Sequence, residues 1–372
     1  MADVNAIEFG RSRRARPAYS FDDVAVAPSR RTRDPQECRI GWRLDAYTFD
    51  LPVMAAPMDS VVSPATAQSI SDLGALPVLN LEGLWTRYED PAAVLAEITE
   101  LDPGKANRRL QELYAAPISG ELMAARLAEL RAQGGTVAAA LSPQRTQEYA
   151  DIVLSSGVDV FVIRGTTVSA EHVASTGTPL NLKQFVYDLD VPVVVGGVAT
   201  YSAALHLMRA GVAGVLVGFG GGATHTNHQV LGIRVPMATA VADVAEARRD
   251  YLDESGGRYV QVIADGAMGL TGDVVKAIAC GADAVMVGSM LARADDAPGR
   301  GRHWGSEAVH ATLPRGEMVD LGTVGTLEQI MLGPSVVGDG TMNIAEALRR
   351  AIATCGYADL KEFQRVDMVI RG

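Results

Sequence analysis

Eight short apolar runs, spaced between helix-like stretches, constrain this sequence more than any other feature. They are LPVMAAP (51–57), ALPVLN (75–80), TVAAAL (136–141), DVFVIRG (159–165), VPVVVGG (191–197), GVLVGFGG (214–221), YVQVIADG (259–266) and AVMVGS (284–289). Runs such as VPVVVGG and AVMVG are apolar throughout instead of alternating, as in strands covered on both faces of a parallel sheet. Four follow a glycine that closes a helical stretch, in SDLGALPVLN, SSGVDVFVIRG, RAGVAGVLVGFG and ACGADAVMVGS. A glycine there suits the left-handed residue that ends a helix. Helical patterns such as PQRTQEYADIVLSSG, YSAALHLMRAG and TGDVVKAIACGA fill the intervals. Eight strand–helix units in succession predict an α/β fold, a closed (β/α)8 barrel forming one domain over residues 1–372.

Two segments depart from the regular unit. Trp85 to Gly135 carries extra helical sequence, PAAVLAEITEL and ELMAARLAELRAQGG, and predicts a helical insertion after the second strand. Ala292 to Met342, rich in Gly, Pro and charge, predicts a lid after the eighth, because a long segment leaving a barrel strand is placed to cover the mouth.

Composition narrows the function classes. With 48% hydrophobic and 21% charged residues the 372-residue chain can bury a large core. A net charge of -11 argues against nucleic acid as a partner but leaves a small anion open. The Arg11 to Arg16 run, RSRRAR, reads as a solvated arm. Cys38, Cys280 and Cys355 lie far apart, without metal-ligand spacing, so we expect neither disulfide nor zinc. No stretch approaches a membrane span and no leader pattern is present, and we expect a cytoplasmic chain.

Chemistry in such a barrel is read at the strand ends. The first ends in Pro57, Met58 and Asp59, the fourth in Arg164, Gly165 and Thr166, the seventh in Asp265 and Gly266, and the eighth in Gly288 and Ser289. Glycines at the last two positions expose backbone N–H groups to a phosphate, and an aspartate beside them suits a ribose diol. A nucleotide or FMN phosphate would be held by the same features.

Three longer motifs then carry a resemblance. YSFDDVAVAPS (19–29), MAAPMDSVVSP (54–64) and VIADGAMGLTGDVVKAIACGADAVMVGSMLA (262–292) resemble, in order, segments of the IMP dehydrogenase and GMP reductase superfamily. The resemblance implies a barrel, usually tetrameric, binding IMP, XMP or GMP across its mouth, with NAD or NADP(H) as cofactor. Asp265 would hold the ribose, Gly266, Gly288 and Ser289 would surround the phosphate, and Met58 would pack on the purine. Many IMP dehydrogenases also carry a CBS pair after the second strand; Trp85 to Gly135 is too short and too helical for one. The chain resembles the shorter paralogues that lack it.

The loop GGGATHTNHQVLGIRVP (220–236) aligns with the family's catalytic loop, and there the resemblance breaks down. Its cysteine position is His225. Asn227 takes the place of a threonine, Ala223 that of a phosphate-binding serine near Gly222, and Arg164 that of an aspartate near the nicotinamide. The family thiolate adds to C2 of the purine and later leaves; a histidine adduct would carry an imidazolium, which opposes removal of hydride from the adjacent carbon. His225 is therefore read three ways: a general base for water, a ligand contact in a site without thiolate chemistry, or a polar loop residue. His228 is expected to be exposed. Arg302, His303 and Trp304 fall near the dehydrogenase's water-activating pair and receive no role. Backbone carbonyls of Gly220, Gly222 and His225 remain candidates for a potassium ion. Dehydrogenase, reductase, nucleotide-binding regulator and FMN barrel all stay open.

Overall fold

The computed structural model describes residues 6–173, 179–219 and 221–371. All eight apolar runs form parallel strands of one closed barrel: β1 Val53–Ala55, β2 Leu76–Asn80, β3 Ala138–Leu141, β4 Val160–Arg164, β5 Val193–Val198, β6 Gly214–Val217, β7 Gln261–Asp265 and β8 Ala284–Val287. Pairing follows chain order, and Val285 beside Val53 closes the ring. The strands are buried nearly throughout because helices cover their outer face and side chains fill the interior.

The outer layer comprises α1 Pro64–Asp72, α2 Gly120–Ala132, α3 Pro143–Ser155, α4 Leu182–Tyr187, α5 Tyr201–Arg209, α6 Met237–Glu254, α7 Thr271–Ala279 and α8 Ile344–Thr354. Local sequence sets their ends. Ser63 caps α1 by accepting a hydrogen bond from the Thr66 N–H at 3.0 Å, with Pro64 in the first turn. The closing glycines have the predicted left-handed conformation, Gly74 at φ +84° and Gly281 at φ +113°. The sixth run was expected to extend to 221, but its strand stops at Val217. At Gly218 the chain passes so close to β7 that a Cβ would stand 1.9 Å from the Asp265 carbonyl oxygen.

Both departures fold above the barrel and onto each other. The insertion adds helices Ala92–Glu100 and Ala106–Leu113. Leu84, Ile98, Leu110 and Leu113 share a small hydrophobic core with Trp304, Ala308 and Met318 of the lid, separate from the barrel's own core. Asn107 Nδ2 donates to the Gly316 carbonyl at 2.9 Å, and Gln111 Nε2 donates to that of His310 at 2.8 Å. The RSRRAR segment lies in an exposed hairpin, and its Arg16 reaches Asp243 on α6.

Immediately before β8, Asp283 is buried under five donors. Arg248 Nη1 and the Val262 N–H reach Oδ2 at 2.7 and 2.8 Å; Lys361 Nζ, the Tyr259 hydroxyl and Gln364 Nε2 reach Oδ1 at 2.5, 2.8 and 3.1 Å. This network ties β7, β8 and α6 to the C-terminal segment.

Candidate active site at the barrel mouth

A cleft with about 610 Å³ of empty volume opens at the C-terminal ends of the strands. Met58 follows β1, Arg164 ends β4, Asp265 and Gly266 end β7, Gly288 and Ser289 follow β8, and all six line it. So do Gly222, His225 and Asn227 from the loop after β6. Gly266 sits at φ +113°, which a side chain rarely adopts. Ala223 and His228 are exposed and stand outside the lining, and Thr224 faces the cleft where Ala223 does not.

Two charged groups meet at its centre. Arg164 donates through Nε to Asp265 Oδ2 at 2.9 Å and through Nη2 to Oδ1 at 3.3 Å, a forked contact between nearly buried partners. Burial disfavours the guanidinium charge, but Asp265 and Glu307 outweigh it and keep Arg164 charged. The aspartate expected at the ribose therefore already carries an internal counter-ion.

The loop bearing His225 is pinned by the lid. Thr226 N–H donates to the Arg315 carbonyl at 2.8 Å and Glu317 N–H to that of Thr224 at 2.9 Å. His225 Nδ1 stands 3.7 Å from Glu307 Oε1 and 3.4 Å from Asn227 Nδ2. Glu307 is 5% exposed. Burial alone would raise its carboxyl, yet His225 and Arg164 outweigh burial and hold it below the usual carboxylate range. His303 is pushed down to about 3 by burial and by His225 and Arg164, so it is neutral; its Nδ1 lies 2.8 Å from the Ser60 hydroxyl.

Glu307 was missed in sequence, and His303 was noted there without a role; both stand on the lid and line the cleft. The available signal was HWGSEAVH (303–310), a stretch with two histidines and a carboxylate inside the segment placed to cover the mouth. Of the expected cation ligands, Gly220 lies outside the described residues, and the Gly222 carbonyl accepts the His225 N–H at 3.1 Å. Cys280 is the C-cap residue of α7, and no cysteine lines the cleft among the described residues.

A second chamber with about 1160 Å³ of empty volume adjoins the cleft and shares Met58 and Arg164 with it. On its wall Trp304 Nε1 donates to the Tyr114 hydroxyl at 2.7 Å, and that hydroxyl donates to Asp59 Oδ2 at 2.6 Å. Asp59 also accepts the Leu84 N–H at 2.8 Å, but burial still pushes its carboxyl above the usual range. Tyr114→Phe leaves a buried indole N–H and a buried carboxylate each short of a partner. The expected cost is about 1–3 kcal/mol, read as a lower midpoint in thermal unfolding, with faster proteolysis of the lid.

No helix among the described residues is long and apolar enough to cross a membrane. A family model described as IMP dehydrogenase / GMP reductase domain matches residues 18–314. An uncharacterized oxidoreductase of Mycolicibacterium smegmatis is 49% identical over 373 residues, 98% of this chain and 99% of the relative. Another, from Mycobacterium tuberculosis, is 48% identical over 375 residues, 98% of this chain and 100% of the relative. The crystal structure of an IMP dehydrogenase/GMP reductase-like protein from Corynebacterium glutamicum has a TM-score of 0.94 at 48% identity, covering 99% of this chain and 98% of that one. With the closed barrel, the cleft at its mouth and a model match over most of its length, the chain belongs to the IMP dehydrogenase/GMP reductase family.

Proposed function

We propose that the cleft is a purine mononucleotide site, taking IMP, XMP or GMP, in an oxidoreductase-family barrel whose reactive centre is built on an imidazole. The observation that carries this reading is the convergence of Met58, Asp265, Gly266, Gly288 and Ser289, from three separate strand ends, on one cleft. Asp265 accepts from the ribose hydroxyls through the lone pairs that Arg164 leaves free, the backbone at Gly266, Gly288 and Ser289 surrounds the phosphate, and Met58 packs on the purine.

A nicotinamide cofactor, NAD or NADP(H), would supply or take up the hydride linking IMP with XMP, or GMP with IMP. The second chamber fits it: it opens beside the purine at Met58 and Arg164, and Arg87 and Arg145 offer guanidinium groups to a pyrophosphate. The potassium ion of some relatives would have Gly222 and His225 as its described backbone neighbours. We read residues 1–372 as one cytoplasmic unit of guanine nucleotide metabolism, without a CBS pair and assembled as a homotetramer.

A second reading, a nucleotide-binding regulator without turnover, is favoured by the absence of any thiol from the cleft lining among the described residues and by the Arg164–Asp265 fork. Calorimetry with IMP, XMP, GMP and FMN, followed by NAD- and NADPH-linked assays, separates these readings. Asp265→Ala is expected to weaken purine nucleotide binding by about 2 kcal/mol, roughly 30-fold. Absence of heat from every purine nucleotide at millimolar concentration defeats the proposal, and a yellow protein that binds FMN replaces it with a flavin barrel.

A further inference from the structure

His225 and Glu307 come together only in the folded chain, one from the loop after β6 and the other from the lid. We propose that Glu307 is a positioning residue that holds the proton of the His225 ring on Nδ1, so that Nε2 presents its lone pair to the cleft as a proton acceptor. This goes beyond nucleotide binding and uses that reading only to say what fills the cleft.

The argument is one of placement. Glu307 is almost fully buried, and its Oε1 stands 3.7 Å from Nδ1. A lone pair on Nδ1 would face that carboxylate, whereas an N–H dipole there is attracted to it. Asn227 tests the choice internally. With its Nδ2 placed 3.4 Å from Nδ1, the amide donates to the ring, and its own Oδ1 is left buried without a donor. Turning the amide over sets the oxygen against Nδ1–H and gives it one; amide oxygen and nitrogen are assigned from such networks. The other edge of the ring faces the glycine loop. A Cβ at Gly222 would lie 2.9 Å from His225 Cδ2 and 3.5 Å from Nε2, so the glycine keeps that edge open.

The surrounding groups agree with this assignment. From β4 and the residues after it, Arg164 is occupied by Asp265, and the Thr166 hydroxyl donates to Glu307 Oε1 at 3.4 Å. From the lid, Ser306 donates to Glu307 Oε2 at 3.2 Å, His303 is neutral, and Arg315 Nη2 reaches Thr166 at 3.5 Å. Glu307 thus faces His225 as an anion fixed by hydroxyl donors. The proton of a water or ligand O–H at Nε2 would pass to the ring, its electron pair would stay on oxygen, and the imidazolium would be met by the same carboxylate.

The test needs neither substrate nor turnover. Full-length protein is labelled with 15N-histidine, long-range proton–nitrogen correlations are recorded without ligand, and His225→Gln identifies the His225 signals among the six histidines. The expected neutral form carries its proton on Nδ1; an Nε2–H form overturns the proposal. Glu307→Gln is expected to abolish that preference, and an unchanged tautomer also overturns it. The wild-type spectrum decides even where the variant folds poorly. Nucleotide calorimetry is independent of either result, so failure of this inference is distinct from failure of the nucleotide reading.

Discussion

Asp283→Ala is expected to destabilise the protein by about 3–5 kcal/mol, because it strips a buried cation of its partner. Arg248 is 7% exposed and cannot recover water where it stands, and four further donors lose the same acceptor. In a chain of this length the midpoint of thermal unfolding should fall by roughly 4–6 °C. Asp283→Asn keeps the volume but removes the charge, and should cost less than alanine while remaining below wild type. The pH dependence has a definite sign. Burial alone would raise the Asp283 carboxyl, but Arg248 and Lys361 outweigh it and hold the folded-state value below the ordinary one. Its contribution is therefore fully present above the unfolded-state value, about 4, and is lost as the pH falls through the folded one. Wild type and variant should converge on acidification below about pH 4; a constant difference down to pH 2 would refute this account.

The second large effect is a gain of reactivity. A 6-halopurine nucleotide is expected to leave wild type unmodified, because none of its thiols suits attack. Cys280 is pushed up to about 12 by burial, and burial raises Cys38 and Cys355 too. His225→Cys puts sulfur into the cleft while the ribose and phosphate contacts remain. Sulfur can then bond to the electron-poor ring as halide leaves, and intact-mass spectrometry should show an adduct confined to the variant. The variant is not expected to reach full dehydrogenase turnover, since Asn227 and Arg164 are unchanged. An adduct at His225 in wild type, together with rapid NAD reduction by IMP, would instead make the histidine the nucleophile.

The sequence made the scaffold legible because each barrel unit is a local pattern. An apolar run with β-branched residues, a helix of matching length and a glycine at its end all fall within about thirty residues. Met58, Asp265, Gly288 and Ser289 were legible for the same reason, since a residue at a strand end inherits its place from the strand. Arg164 was legible in position but not in partner, because its fork with Asp265 spans 101 residues and exists only once the ring has closed. Glu307 was illegible because the lid has no period to register it against the strands. The lid that carries it is held instead by a core in which Trp304 and Met318 join Leu110 and Leu113.

That shared packing has a consequence for synthesis. Asn107 and its acceptor Gly316 are 209 residues apart, and at bacterial or eukaryotic elongation rates this interval lasts on the order of 10–40 s. Throughout it the apolar face of the insertion has left the ribosome without the segment that covers it. Leu84, Ile98, Leu110 and Leu113 then lack the Trp304, Ala308 and Met318 side chains that share their core in the folded chain. In a chain stalled after β8 but before Trp304, all eight barrel strands are made while this face is still uncovered, and it is the surface expected to aggregate.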